Sequence, residues 1–205
     1  MSPGRDVRIA FRENASYRRA QRMFDLAIAL IALAVSAPVV VAAVVAIRLE
    51  ARGPVFYRQR RVGRCGRYFT LYKLRTMRTD MCGDALKPEG GHDPRITRVG
   101  RVLRRTSIDE LPQLLNVLRG DMAIVGPRPE QPFLVQRYEK WQHLRHLTKP
   151  GITGLWQITC RSTIPLHAPE ATDVDLEYIR TASMATDSRI FMRTFGALLF
   201  AAGAY

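Results

Sequence analysis

From Leu26 to Ile47 the chain carries 22 consecutive uncharged residues, nearly all of them apolar. A helix rises 1.5 Å per residue, so this run reaches roughly 33 Å, enough to cross the hydrocarbon core of a bilayer. A cleaved signal peptide fits poorly, because the stretch is long, starts late and is followed by Arg48 without a small-residue cleavage pattern. Ahead of it, Arg5, Arg8, Arg12, Arg18, Arg19 and Arg22 stand against Asp6 and Glu13, and Asp25 is the last charge before the run. Ser36-Ala37-Pro38 sits at its middle, where a proline deletes one helical hydrogen bond and crowds the preceding turn. Arginines flank both ends, with Arg48, Arg52, Arg58, Arg60 and Arg61 following closely, and retention of positive charge in the cytoplasm then favours both ends on one side. Two readings follow, a re-entrant hairpin broken at Pro38 or a spanning helix kinked there.

The chain divides accordingly into a basic, poorly ordered lead-in (1–21), a membrane segment read as a re-entrant helix-hairpin (22–48) and a cytosolic domain (49–205). At 205 residues there is room for that one domain and little more. Lys and Arg number 32 against 18 Asp and Glu, a net charge of +14, which points to an anionic partner: nucleic acid, a phosphorylated metabolite or lipid headgroups. Most of the cations are arginines, the better bidentate partners of phosphate oxygens. Cys65, Cys82 and Cys160 form no paired framework, which fits a reduced, cytosol-facing location, and the histidines do not join them at zinc-ligand spacing.

Past the membrane segment, residues 55–60 and 68–75 read as strands of a β-hairpin turning through Gly63-Arg64-Cys65-Gly66. Residues 79–95 are rich in Gly, Asp and Pro and read as a loop. A helix is expected from Thr106-Ser107 through Leu118, then a short buried strand over 122–125. A second helix, 133–147, carries an apolar stripe of Leu134, Tyr138, Trp141 and Leu144 that suits either the membrane interface or the core, and a last helix runs from Ile190 to about residue 202. The fold class is α+β: a membrane helix, then a small helix-rich domain with a short β-hairpin and interfacial helices.

Three stretches could carry chemistry. In Ser107-Ile108-Asp109-Glu110-Leu111-Pro112, Ser107 with Glu110 reads as a capping box, which more often begins a helix than catalyses anything. Taking Asp109 as the cap places Pro112 more comfortably. Either way Asp109 lies at a helix start, where free amides attract phosphate and keep a carboxylate ionised. Such a carboxylate could attack phosphorus, and the adjacent Glu110 could help hold a divalent cation. In Gly126-Pro127-Arg128-Pro129, two prolines stiffen the backbone around Arg128, as suits a phosphate clamp or simply a rigid loop. Lys149-Pro150-Gly151-Ile152-Thr153-Gly154-Leu155-Trp156-Gln157 suits close backbone approach and ring stacking, or a tight turn over a buried Trp.

In order, the apolar run with Pro38, Tyr72-Lys73-Leu74-Arg75-Thr76-Met77, residues 107–112 with Asp109-Glu110, residues 126–129, residues 150–157 and the terminal Gly203-Ala204-Tyr205 resemble the bacterial sugar transferases, the monotopic phosphoglycosyl transferases, over residues 22–205. The resemblance implies that Asp109 attacks the β-phosphate of a UDP-sugar, expels UMP and holds the phosphosugar until undecaprenyl phosphate takes it. Glu110 becomes the catalytic partner of Asp109, and the pair would hold Mg²⁺. Lys73, Arg75, Arg104 and Arg128 are expected on phosphates, and Gln157, Arg161 and Asp187 on the substrate. The helix break matches Ser36 and Pro38 with one residue inserted between them. Thr159-Cys160-Arg161 departs from the family's usual glycine before that arginine, which bears on specificity. Similarity to hexose 1-phosphate transferases that start exopolysaccharides implies UDP-glucose or UDP-galactose. The implied partners are this donor, undecaprenyl phosphate and membrane lipids, at the cytoplasmic face of a bacterial inner membrane. A homodimer stays open. Two rivals stand beside this reading: a nucleic-acid-binding protein, favoured by charge but opposed by the apolar run, and a non-catalytic membrane-anchored partner of a polysaccharide assembly system.

Overall fold

The computed structural model describes residues 15–79, 93–160 and 163–199. Its first element, α1 (Ala15–Glu50), is one helix of 36 residues. Gln21, Asp25 and Ala29 in its first half and Ala43 and Ile47 in its last are buried along one face. Leu30, Ile31, Val35, Val39, Val41 and Val45 stand exposed, and only 11% of its most apolar 18-residue window is covered by protein. An apolar helix of that length, so little covered, is a membrane-associated element.

Helix α1 extends beyond the apolar run at both ends. Helical structure continues through Ser36 and Pro38, with Pro38 inside the helix. Pro38 removes a single backbone donor, and in apolar surroundings the neighbouring peptide groups have no partners except those of the helix itself. The boundary between lead-in and membrane segment also falls inside α1, since residues 15–21 are helical. Tyr17 and Gln21 turn inward there: the Tyr17 hydroxyl donates to Asp187 Oδ2 at 2.8 Å and Gln21 Nε2 to the same oxygen at 3.0 Å.

Both ends of α1 grip the same domain. Arg22 donates to the carbonyls of Val117 and Leu118 at 2.6 and 2.7 Å, and Asp25 Oδ1 accepts from the Ile124 amide at 2.8 Å. At the other end Glu50 accepts from the amides of Arg98 and Val99 at 2.6 and 2.9 Å, capping the next helix with a carboxylate where its dipole favours one.

The hairpin forms as expected. β1 (Phe56–Val62) and β2 (Tyr68–Leu74) pair antiparallel from Phe56 opposite Leu74 to Val62 opposite Tyr68, joined by a short turn at Arg64–Gly66. Next comes α2 (Arg98–Arg105), which the sequence did not suggest because four of its eight residues are arginine and leave little apolar stripe. The single helix expected from 106 to 118 divides into a 3₁₀ turn, Ile108–Gln113, and α3 (Leu114–Arg119), with Pro112 in the turn. β3 (Ala123–Val125) follows as read.

The helix expected over 133–147 also divides, into α4 (Pro132–Val135) and a 3₁₀ segment, Lys140–Leu147, restarted by a capping box between Glu139 and Gln142. β4 (Gly151–Thr153) pairs parallel to β3, and α5 (Leu155–Thr159) follows it. Pro169 sits in the first turn of α6 (Pro169–Thr181), where proline fits a helix. The last helix, α7 (Met184–Leu199), begins earlier than expected. The proposed loop falls mostly outside the described residues. A core of Ala29, Leu71, Val117, Met122, Val125, Tyr178 and Ile190 locks α1, the hairpin, α3, β3, α6 and α7 together. Each fully buried aliphatic side chain there contributes roughly 1.5 to 3 kcal/mol.

Candidate active site

Ser107 breaks the chain out of α2. Its φ of 56° places a non-glycine residue in the left-handed region, and its side chain makes no capping bond. The capping-box reading is therefore wrong here: Ser107 and Glu110 are joined only through backbone, Glu110 N to Ser107 O at 3.1 Å. Such a conformation costs on the order of 1 kcal/mol or more and turns the next residues out of the helical path. Asp109 and Glu110 follow at once.

Glu110 is the hinge of a charge cluster. Lys73 Nζ, from β2, reaches Glu110 Oε1 at 2.7 Å, and Arg128 Nη2 reaches the same oxygen at 2.6 Å. Burial opposes its charge, but Arg128 and Lys73 outweigh that and hold the Glu110 carboxyl well below the usual carboxylate range. Asp109 differs. It is buried, and among the described residues no hydrogen bond reaches its carboxylate. Burial is the largest influence, opposed by Lys73 and reinforced by Glu110, and its pKa is pushed up to about 6. The expectation that a helix start would favour its charge is thus reversed, because desolvation exceeds what a short 3₁₀ turn offers. At pH 7 it is still mostly ionised.

The Arg128 loop is fixed by backbone. Gly126 N donates to Thr153 O and Gly151 N to Pro127 O, both at 2.9 Å, extending the β3–β4 pairing. A Cβ on Gly126 would lie 2.4 Å from the Lys149 carbonyl oxygen, and one on Gly151 would lie 2.2 Å from Gly126 N. Only glycine permits the two motifs to approach so closely. Arg145, itself buried, adds a bond from Nη2 to the Arg128 carbonyl at 3.1 Å while pairing with Asp175 at 2.5 Å.

The remaining candidates scatter. Arg104 Nε donates to Thr76 Oγ1 at 2.8 Å, and its charge acts on Asp109, so it borders the site. Arg75 is corrected: it is buried, and its guanidinium donates to the carbonyls of Ala51 and Arg52 at 2.6 and 2.8 Å, holding the chain that leaves α1 and not facing a substrate. Asp187 is also corrected: it is fully buried, taken up by Tyr17, Gln21 and Tyr178, and no hydrogen bond joins it to the Asp109 cluster. Gln157 Nε2 bonds the Ile152 carbonyl at 3.0 Å, which makes it a brace for β4. Arg161 lies outside the described residues, as does the terminal 203–205 motif. Ser36 and Pro38 lie within α1, far along the chain from the charge cluster.

Arg61, in the sequence only a charge flanking the apolar run, belongs to this site. It shares a hairpin face with Lys73, donates to the Pro129 carbonyl at 3.0 Å and feels the charges of Arg128, Glu130 and Glu110. Strand alternation, counted from Lys73 across the hairpin, would have found it.

Among the described residues no group of three or more His, Cys, Asp or Glu side chains gathers. Two adjacent carboxylates suit Mg²⁺, which uses one or two of them and completes its shell with water and substrate phosphates.

A membrane-associated helix carrying a small domain with a carboxylate pair among cations defines a class of phosphate-handling membrane proteins. The family model of the bacterial sugar transferases matches residues 16–201, and the chain belongs to that family. It is 41% identical to the galactosyl transferase CpsE of Streptococcus agalactiae, over 92% of this chain and 44% of that protein. It is 40% identical to an undecaprenyl-phosphate glucose phosphotransferase of Komagataeibacter xylinus, over 90% of this chain and 37% of that protein. It is also 40% identical to a UDP-glucose:undecaprenyl-phosphate glucose-1-phosphate transferase of Caulobacter vibrioides, over 90% of this chain and 72% of that protein. The chain thus spans less than half the length of the first two.

Proposed function

We propose that this protein is a phosphoglycosyl transferase that moves a sugar 1-phosphate from a UDP-sugar to undecaprenyl phosphate at the cytoplasmic face of the membrane, starting an exopolysaccharide or glycoconjugate. The names of its relatives support that donor and acceptor. The observation that carries the reaction is the Asp109 carboxylate: buried, without a hydrogen bond among the described residues, and subject to the charges of Lys73, Arg104 and Arg128.

A carboxylate oxygen of Asp109 attacks the β-phosphorus, and the bond from that phosphorus to the bridging oxygen breaks, leaving UMP with the electron pair. A phosphate oxygen of the prenyl acceptor then attacks the same phosphorus and returns Asp109 as a free carboxylate. Desolvation makes Asp109 a stronger base and nucleophile than a surface aspartate. Arg128, Lys73 and Arg104 stand where a charged diphosphate would be neutralised, and the fixed Arg128 loop lowers the entropy lost in gripping it. Mg²⁺, when bound by Asp109 and Glu110, would neutralise the diphosphate further. UDP-glucose or UDP-galactose is the donor we favour, on likeness to relatives that carry glucose or galactose in their names.

The docking of both ends of α1 on one domain supports a helix that enters and leaves on one side of the membrane, since the domain cannot occupy both. The direct test is purified full chain, a panel of UDP-sugars, undecaprenyl phosphate and Mg²⁺, scored for UMP. Release with one hexose donor is expected, and no release with any donor would overturn the reading.

A further inference from the structure

We infer that Arg61 is a further phosphate-binding residue of this site, taking a substrate phosphate oxygen beside Arg128. The inference rests on the transferase reading. Residues 57, 59 and 61 of β1 share one face, and their partners across the hairpin are Lys73, Leu71 and Phe69. Arg61 therefore extends the surface from which Lys73 reaches Glu110. Its Nη1 donates to the Pro129 carbonyl at 3.0 Å, one residue from Arg128, and its Nη2 to Gln59 Oε1 at 2.6 Å. Gln59 is held in turn by Gln131 at 2.7 Å, so the guanidinium is fixed from two sides.

What remains is an unmet donor. Arg61 Nε–H is buried and has no acceptor among the described residues. A buried donor left unpaired is costly, and so is one guanidinium close to another. Arg128 and Lys73 both take the same oxygen of Glu110, while Glu130 is buried and accepts from the Gln131 amide. Burial and the charge of Arg128 push the Arg61 pKa down to about 10, so it stays cationic at neutral pH. An oxyanion relieves the unpaired donor and the cation–cation repulsion together, and phosphate matches the planar fork. A purely structural strut to Pro129 needs only one donor and leaves the other cost standing.

The shared chemistry, a phosphate oxyanion, occurs in the donor diphosphate and in the prenyl monophosphate. Full-length protein in lipid nanodiscs, wild type and Arg61→Lys, is titrated with inorganic pyrophosphate, UDP and a short-chain prenyl monophosphate. Lysine keeps the charge and one donor for Pro129 but loses the fork. At least one of the three phosphates should bind about tenfold or more weaker, as expected when a charged hydrogen bond is lost, with the melting temperature nearly unchanged. Weakening of pyrophosphate and UDP assigns the donor, and weakening of the prenyl monophosphate alone assigns the acceptor. An Arg61→Lys/Arg128→Lys double variant should bind more weakly than Arg128→Lys alone, by a factor that differs from the product of the two single losses because the guanidiniums are neighbours. Wild-type binding of all three ligands by a folded Arg61→Lys protein overturns the inference, as does a double variant no weaker than Arg128→Lys alone. Failure of both Arg61→Lys and Arg61→Gln to fold does the same, since Arg61 is then structural. These titrations need no turnover, so absence of UMP release alongside Arg61-dependent binding would sink the transfer reaction and leave this inference standing.

Discussion

Arg128, from the loop after β3, and Lys73, from β2, donate to one and the same oxygen, Oε1 of Glu110, at 2.6 and 2.7 Å. Glu110 thus holds two cations beside Asp109 and keeps them from collapsing onto it. Glu110→Gln retains an acceptor oxygen but removes the charge that fixes both. Turnover is expected to fall about a hundredfold or more, with the fold preserved, as when one electrostatic stabiliser of a transition state is lost. Rates of UMP release and melting curves measured together check this. A variant that melts lower but turns over normally would mean that Glu110 only stabilises the 3₁₀ turn.

Arg128→Lys keeps a positive charge but cannot present a planar fork, so activity should drop well below wild type while Asp109 remains modifiable at a slower rate. Equal rates for the lysine variant would show that a diffuse positive field suffices.

For Asp109, burial raises the pKa to about 6, and the sign of the consequences follows. The carboxylate must be ionised to attack, so kcat/KM should rise through pH 6 and level off above it. Because the folded state binds this proton more tightly than the unfolded chain, its stabilising contribution is full below the unfolded value of 3.8 and is lost as pH rises through about 6. Asp109→Asn should therefore abolish turnover yet raise stability at pH 7.5, by on the order of 2 to 3 kcal/mol. Mass spectrometry of wild type incubated with donor alone should find one hexose phosphate on the peptide containing Asp109. A less stable Asn variant, or an unmodified Asp109 in active enzyme, would contradict this account.

The Arg145–Asp175 pair is 2.5 Å long, with side chains only 1% and 2% exposed. Removing one partner leaves an uncompensated buried charge, so Asp175→Asn or Arg145→Met should destabilise by about 3 to 5 kcal/mol, whereas Arg145→Met with Asp175→Leu should recover much of the loss. Denaturant melts of the three variants test this. Since Arg145 also bonds the Arg128 carbonyl, the double variant should regain stability without regaining full activity.

The legible parts of this protein were those with long or regular patterns. The 22-residue apolar run is long enough to outweigh local noise, and the hairpin was legible from two strand-forming segments, opening on Val55-Phe56-Tyr57 and Tyr68-Phe69-Thr70, joined through Gly63 and Gly66. The parallel pairing of β3 with β4 was not: three residues per strand give no period, and only the close approach of Gly126 and Gly151 explains why both motifs carry glycine. Ser107 misled because its spacing to Glu110 imitates a cap, while its left-handed backbone is fixed by tertiary context. Asp187 and Arg75 carry charges that suggest a ligand, yet both are consumed inside the fold by residues far away in sequence. No local pattern could separate them from Lys73.

The last prediction concerns which side of the membrane each end of α1 occupies. Arg22 is tied to Val117 and Leu118, and Glu50 to Arg98 and Val99, across a helix whose middle is exposed and apolar. A domain that holds both ends forces both to the same face, and Pro38 near the middle supplies a point at which the helix can bend within the bilayer. In a background lacking Cys65, Cys82 and Cys160, single cysteines near Ser16 and near Arg52 should both resist an impermeant thiol reagent applied to intact cells and react once the cells are opened. Labelling near Ser16 from outside would establish a spanning helix. Replacing Ser36 and Pro38 with leucine removes the weak point, so the helix should straighten, and the bonds from Arg22 and Asp25 to the domain must then compete with a helix that prefers to cross. Part of the population should expose Ser16 outside, and activity should fall in proportion, because Asp109 depends on β3 and α3, the elements that those bonds anchor. If the leucine variant keeps wild-type topology and wild-type turnover, the grip of the domain on both ends, and not the proline, keeps the helix on one side of the membrane.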